Sequence, residues 1–189
     1  MKKIVLAGPP RSGKSCMREG LKKAIAQIPG APYPYVITAC PDGEGSWFQE
    51  TVNHDSELAS ACKADYKGKF TAEFVERIKT SVTNCSLELT LVDIGGIPSV
   101  ENEQICSGAT HMVILAGDMD RVAEWHEFAK KVGLTVVAEI HSDYNGKDDK
   151  VDGSTEDGII HGSVHYLERG EPVADRPMIK ALAEHLLEL

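Results

Sequence analysis

Ile4-Val5-Leu6-Ala7-Gly8-Pro9-Pro10-Arg11-Ser12-Gly13-Lys14-Ser15 decides how the rest of the chain is read. A short continuous apolar run, Ile4 to Ala7, has the character of a buried parallel strand. It passes directly into Gly8 to Ser15, which fits the spacing G-x-x-x-x-G-K-S/T at every defined position. Glycines at both ends let consecutive backbone N–H groups turn inward, where they can surround the oxygens of a phosphate. The helix that should follow, Lys14 to Ile28, carries Met17, Leu21, Ala24, Ile25 and Ile28 at three- and four-residue spacing and stops at Pro29-Gly30. Its dipole would aim positive charge at the same phosphates. Gly8, Pro9, Pro10, Arg11, Ser12, Gly13, Lys14, Ser15 and the adjoining Cys16 are therefore the expected nucleotide-binding set. Lys14 is expected between the β- and γ-phosphates, and the Ser15 hydroxyl on Mg²⁺.

Outward from this loop, the strand–loop–helix rhythm repeats. Strands are expected at Tyr35 to Ala39, Leu87 to Val92, Met112 to Ala116, Leu134 to Ile140 and Val164 to Leu167. Helices are expected at Ser46 to Cys62, Ala72 to Thr83, Val122 to Val132 and Pro177 to Leu187. This alternation predicts an α/β fold in three layers, a mainly parallel central sheet with helices on both faces. Ligands are then expected at the carboxyl ends of the strands. The 189 residues fit a single domain, 1–189. Its polar, acidic tract at 141–158 is read as a lid or flexible stretch.

Composition narrows the function. A formal net charge of -9 argues against a broad nucleic-acid-binding face, which needs a basic surface. Five cysteines without a C-x-x-C pair fit reduced thiols better than a disulfide framework. No apolar run is long enough for a leader or a membrane span, so a cytoplasmic protein that makes no membrane contact is expected.

A magnesium site needs a carboxylate at the end of a neighbouring buried strand. Leu89-Thr90-Leu91-Val92-Asp93 supplies one, and Asp93-Ile94-Gly95-Gly96 also fits D-x-x-G, in which the Gly96 N–H would meet the γ-phosphate. Ser15 and Asp93 are the expected metal pair. Asp42 and Glu44, just past the second strand, are candidates to position or deprotonate the nucleophile; Pro41-Asp42-Gly43 is equally strong turn chemistry.

Other signals are weaker. Lys63, Lys67 and Lys69 form a basic cluster that either meets an anionic substrate or belongs to a solvated loop. Arg121, Arg169 and Arg176 are open candidates for charge stabilisation, and Arg11 sits inside the loop itself. His161 and His165 fall on one face of a strand, as a metal pair or as ordinary surface histidines. The Cys16 thiol either feels the helix dipole or simply packs. The base is not specified: His141-Ser142-Asp143-Tyr144 stands where guanine-specific switches carry N-K-x-D, which leaves ATP as the default and GTP open.

The loop Gly8 to Ser15 is similar to those of P-loop NTPases, including small-molecule and nucleotide kinases. A resemblance spread along the chain is to the AAA-like P-loop domain associated with CRISPR ring nucleases that degrade cyclic oligoadenylate. It rests on Gly8 to Ser15, Pro41-Asp42-Gly43-Glu44-Gly45-Ser46-Trp47, Val92 to Ser99 with Glu101-Asn102-Glu103, and Leu167-Glu168-Arg169-Gly170. The resemblance implies nucleotide binding linked to antiviral signalling, with Lys14, Ser15 and Asp93 in the usual roles; it does not extend to ring nuclease activity. The expected function is Mg²⁺-dependent binding of a nucleoside triphosphate, with hydrolysis or phosphoryl transfer carried by Lys14 and Asp93 with Asp42 or Glu44. The alternatives are a non-catalytic nucleotide sensor acting on a protein partner or on a second copy of itself, and a small-molecule or nucleotide kinase.

Overall fold

Residues 1–40 and 70–189 are described in the computed structural model. Asp42, Glu44, the expected helix from Ser46 to Cys62, and Lys63, Lys67 and Lys69 lie outside the described residues. In chain order the elements are β1 (Lys2–Ala7), α1 (Lys14–Gln27), β2 (Tyr35–Thr38), α2 (Ala72–Asn84), β3 (Leu89–Asp93), α3 (Val100–Cys106) and β4 (His111–Ala116). They continue with a 3-10 turn (Met119–Arg121), α4 (Val122–Val132), β5 (Thr135–Asp143), β6 (Lys150–Ser154), β7 (Ile160–His165) and α5 (Pro177–Glu188).

The strands form one seven-stranded sheet ordered β2-β3-β1-β4-β5-β7-β6. Every pairing is parallel except that of β6 with β7. Successive residues on a strand point to opposite faces, so each buried strand feeds two cores. Ile4 and Leu6 of β1, Leu89 and Leu91 of β3, and Val113 and Leu115 of β4 pack beneath α1 and α5, against Met17, Leu21, Ile25, Ile179, Leu182 and Leu186. The alternate residues Val5, Ala7, Val92, Met112 and Ile114 pack under α2, α3 and α4, with Val75, Ile78, Val82, Ile105, Trp125 and Phe128. Burial of each large apolar side chain is worth about 1.5–3 kcal/mol, and both faces are needed to bury strands this apolar. The expected three-layer α/β architecture is observed.

Three stretches depart from the sequence reading, and the simplest is β7, which runs over Ile160–His165 where a strand is expected at Val164 to Leu167. The 141–158 tract, read as a lid or flexible stretch, carries strand at 141–143 and 150–154. β5 runs on to Asp143 because β7 pairs alongside it from Ala138↔Ile160 to Asp143↔His165. β6 follows as the outermost strand, with all five residues exposed and a register shift between Val151 and Gly153. A strand in contact with water over its whole length carries no apolar period, which is why it reads as a loop. The short helix α3 was likewise not expected; Ser99 caps it by accepting from the Asn102 N–H at 3.3 Å.

Among the described residues no helix is long and apolar enough to cross a membrane. Of the described cysteines, Cys85 and Cys106 are free thiols, and burial pushes the Cys106 thiol up to about 12.

Candidate nucleotide site

Adjacent pairing of β1 and β3 sets Leu6 beside Asp93, so the loop leaving β1 and the carboxylate ending β3 emerge next to one another. Ala39 N–H donates to the Asp93 carbonyl at 2.8 Å, which ties the end of β2 into the same rim. The resulting cleft has a volume of about 540 Å³, within the range of small-ligand sites. Pro10 to Cys16, Thr38, Cys40, Asp93 to Gly96, Tyr144 and Leu167 to Arg169 line it. Residues following the carboxyl ends of β1, β2, β3, β5 and β7 thus meet at one opening, as a parallel sheet requires.

The loop closes on itself around Lys14, whose Nζ donates to the carbonyls of Gly8 at 2.8 Å and Pro9 at 3.0 Å. Gly8 has φ +138°, and a Cβ built on it would stand 1.8 Å from the Leu115 oxygen, so the turn passes too close to β4 for any side chain. Arg11 adopts φ +62°, a left-handed conformation costly for a side-chain-bearing residue and recurrent at ligand sites. Helix α1 begins at left-handed Gly13, with no side-chain cap and no acidic residue in its first turn. The positive end of its dipole is not offset by any residue of the first turn.

Ser12 is 3% exposed, and its Oγ is buried with no hydrogen-bond partner among the described residues. An unpaired buried hydroxyl costs about 1–3 kcal/mol, so its position within the loop points to an acceptor supplied by a ligand.

Ser15 Oγ donates to Asp93 Oδ2 at 3.5 Å, and both residues are buried. A hydroxyl and a carboxylate form an all-oxygen donor pair, suited to a hard cation such as Mg²⁺ that takes its remaining ligands from water and phosphate. No cluster of three or more His, Cys, Asp or Glu side chains with metal-holding geometry occurs among the described residues. His161 and His165 do share a face of β7 but have separate partners: His161 Nδ1 lies 4.0 Å from Glu139, and His165 Nδ1 lies 2.6 Å from Asp149.

Two contributors, Arg18 and Asn102, have no role assigned from the sequence. Arg18 is 2% exposed and donates from Nη1 to Asp93 Oδ2 at 2.9 Å. Asn102, also buried, donates from Nδ2 to the Ile97 carbonyl at 2.8 Å and the Gly95 carbonyl at 3.4 Å, fastening the loop that follows Asp93. Gly96 packs so closely on the Gly8–Ser15 loop that an added Cβ would lie 2.6 Å from Pro10 N. At the opposite rim Tyr144 Oη donates to Glu168 Oε2 at 2.9 Å, and the Arg169 N–H donates to Glu168 Oε1 at 2.9 Å. The Arg169 amide first, and Tyr144 second, hold the Glu168 carboxyl below the usual range; its hydrogen bond pushes the Tyr144 phenol up to about 12. Of the arginines left open, Arg169 lines the cleft, Arg121 pairs with Glu124 at 2.6 Å, and Arg176 donates to the His165 and Tyr166 carbonyls.

No protein-family model matches the chain, and no curated protein matches it significantly. Among solved structures, the chain is similar to a protein of Borrelia burgdorferi B31, assigned to plasmid partition and bound to AMPPNP. The TM-score is 0.60 at 12% identity, covering 99% of this chain and 96% of that one. At that identity the likeness is one of fold, and it extends over the whole α/β sheet with its flanking helices.

Proposed function

We propose that this chain binds a Mg²⁺-complexed nucleoside triphosphate, ATP in the first instance, in the cleft between Gly8–Ser15 and Asp93–Gly96, and hydrolyses it. The observation that carries this is the loop itself. The Lys14 ammonium is already held over the loop by the Gly8 and Pro9 carbonyls, and the buried Ser12 hydroxyl has no partner among the described residues. Phosphate oxygens supply acceptors for both.

In this reading Lys14 offsets the charge on the phosphoryl group being transferred, and the backbone N–H groups at the start of α1 orient it. Ser15 and Asp93 would hold the Mg²⁺, which would neutralise charge on the triphosphate. Asp42 or Glu44 orients the attacking water, a role that rests on their sequence position after β2. Phosphate release from ATP and GTP, measured with and without Mg²⁺, tests the proposal. We expect Lys14→Ala to lower the rate by about 100-fold or more. Absence of release by the wild-type protein would remove the hydrolase reading.

One feature favours a second reading as a nucleotide sensor. Ile97 is 64% exposed and Val100 60%, immediately after a loop whose Gly96 rests on Pro10 of the cradle. A γ-phosphate that reorders this loop would move an apolar surface offered to a partner or a second copy. Nucleotide-dependent association with negligible turnover is its signature. A phosphorylated small product would instead mark a kinase. A role in antiviral signalling rests on the sequence resemblance described above.

A further inference from the structure

Arg18 lies on the inward face of α1 among Met17, Leu21 and Ile25, where a charge is costly and a guanidinium cannot shed its proton. Among the described residues its fork meets two carboxylates. Nε and Nη2 address Glu19 Oε1 at 3.1 and 2.9 Å, while Nη1 addresses Asp93 Oδ2 at 2.9 Å. Glu19 meets the guanidinium from the partly exposed side, and Nη1 reaches the buried carboxylate. Ser15 Oγ addresses that same Oδ2 at 3.5 Å. A permanent cation is therefore built against the carboxylate that is to organise a divalent cation.

We propose that Arg18 is a positioning residue that makes uptake of the metal conditional on nucleotide. It holds Asp93 in line with Ser15, and its charge repels a divalent cation that arrives alone. The negative charge of a triphosphate outweighs that repulsion, so metal enters with the phosphates. The inference rests on Asp93 as the metal-organising carboxylate of the proposed site. Like charges separated by several ångströms in a partly buried site interact strongly enough to change affinity by at least about tenfold.

The test is Mn²⁺ binding to the nucleotide-free protein, followed by the electron paramagnetic resonance signal of the free ion. Arg18→Gln is expected to bind Mn²⁺ at least about tenfold more tightly than wild type. Arg18→Lys should stay near wild type because it keeps the charge, and adding Asp93→Asn to Arg18→Gln should remove the gain. A purely structural arginine predicts the opposite direction, since loosening Asp93 weakens the site; Mn²⁺ affinity unchanged or reduced in Arg18→Gln overturns the proposal. If Arg18→Gln is poorly folded, its melting is compared with and without Mn²⁺. A metal-dependent gain larger than that of wild type supports the proposal, and no such gain overturns it. A labelled ATP analogue titrated onto wild-type protein reports separately on the nucleotide site, so the failure of either idea is seen by itself.

Discussion

At the residue scale, the site depends on positions where no side chain fits. Gly96 shows this directly, because the two nearest atoms an added Cβ would meet are Pro10 N and Cα, at 2.6 and 2.8 Å, both backbone. Gly96→Ala must therefore push the phosphate loop and the Asp93 loop apart. We expect affinity for a non-hydrolysable ATP analogue to fall about tenfold, with a loss of global stability near 1–2 kcal/mol, checked by fluorescence titration and urea unfolding. Gly8, Gly13, Lys14, Ser15, Asp93 and Gly96 were all legible in the sequence because their spacing is local. Arg18 was not. It stands four residues after Lys14 on the stripe defined by Met17 and Leu21, but periodicity identifies a face without revealing what that face meets. The reason for a cation there becomes visible only once β3 brings Asp93 beneath it. Ser12 is similar: its place in the motif is plain, whereas its unpaired burial is a property of the folded loop.

At the scale of elements, the least legible stretch was the one most dependent on its neighbours. β6 and the end of β5 gain their strand character from pairing with β7, which sequence period cannot report for exposed residues. The turn between them carries Asp149, whose side chain is fully buried. Its Oδ1 accepts from the His165 N–H at 3.1 Å and lies 2.6 Å from His165 Nδ1, and its Oδ2 accepts from the Met178 N–H at 3.2 Å. Helix α5 has no side-chain cap at Arg176 and no acid in its first turn, so Asp149 supplies from a distant turn the negative charge this helix start favours. Asp149→Ala leaves two N–H groups and an imidazole without their acceptor. It should cost about 2–4 kcal/mol, lowering the melting temperature by roughly 5–15 °C in calorimetry while leaving the phosphate loop in place.

At the scale of the whole molecule, two apolar cores clamp one sheet, and loops from five strand ends converge on a single cleft. The alternation of strands and helices made the fold class readable. The order that sets β3 beside β1 was not readable, because pairing between strands distant in sequence leaves no local trace. Since the cleft exists only when these strands are assembled, a nucleotide held there binds the folded chain alone. Mg²⁺ with AMPPNP at a hundred times its dissociation constant should therefore add about 2.7 kcal/mol, raising the melting temperature by roughly 5–10 °C, and Lys14→Ala should lose that shift. The outer strand bears on a different matter. β6 presents Lys150 and Asp152 to water, runs against the direction of the rest of the sheet, and is interrupted by a shift at Gly153, where φ is +96°. An open sheet border is a template onto which another chain can add a strand and begin an aggregate. Here the border is charged and kinked, so this side of the protein resists lateral growth even when the chain is crowded.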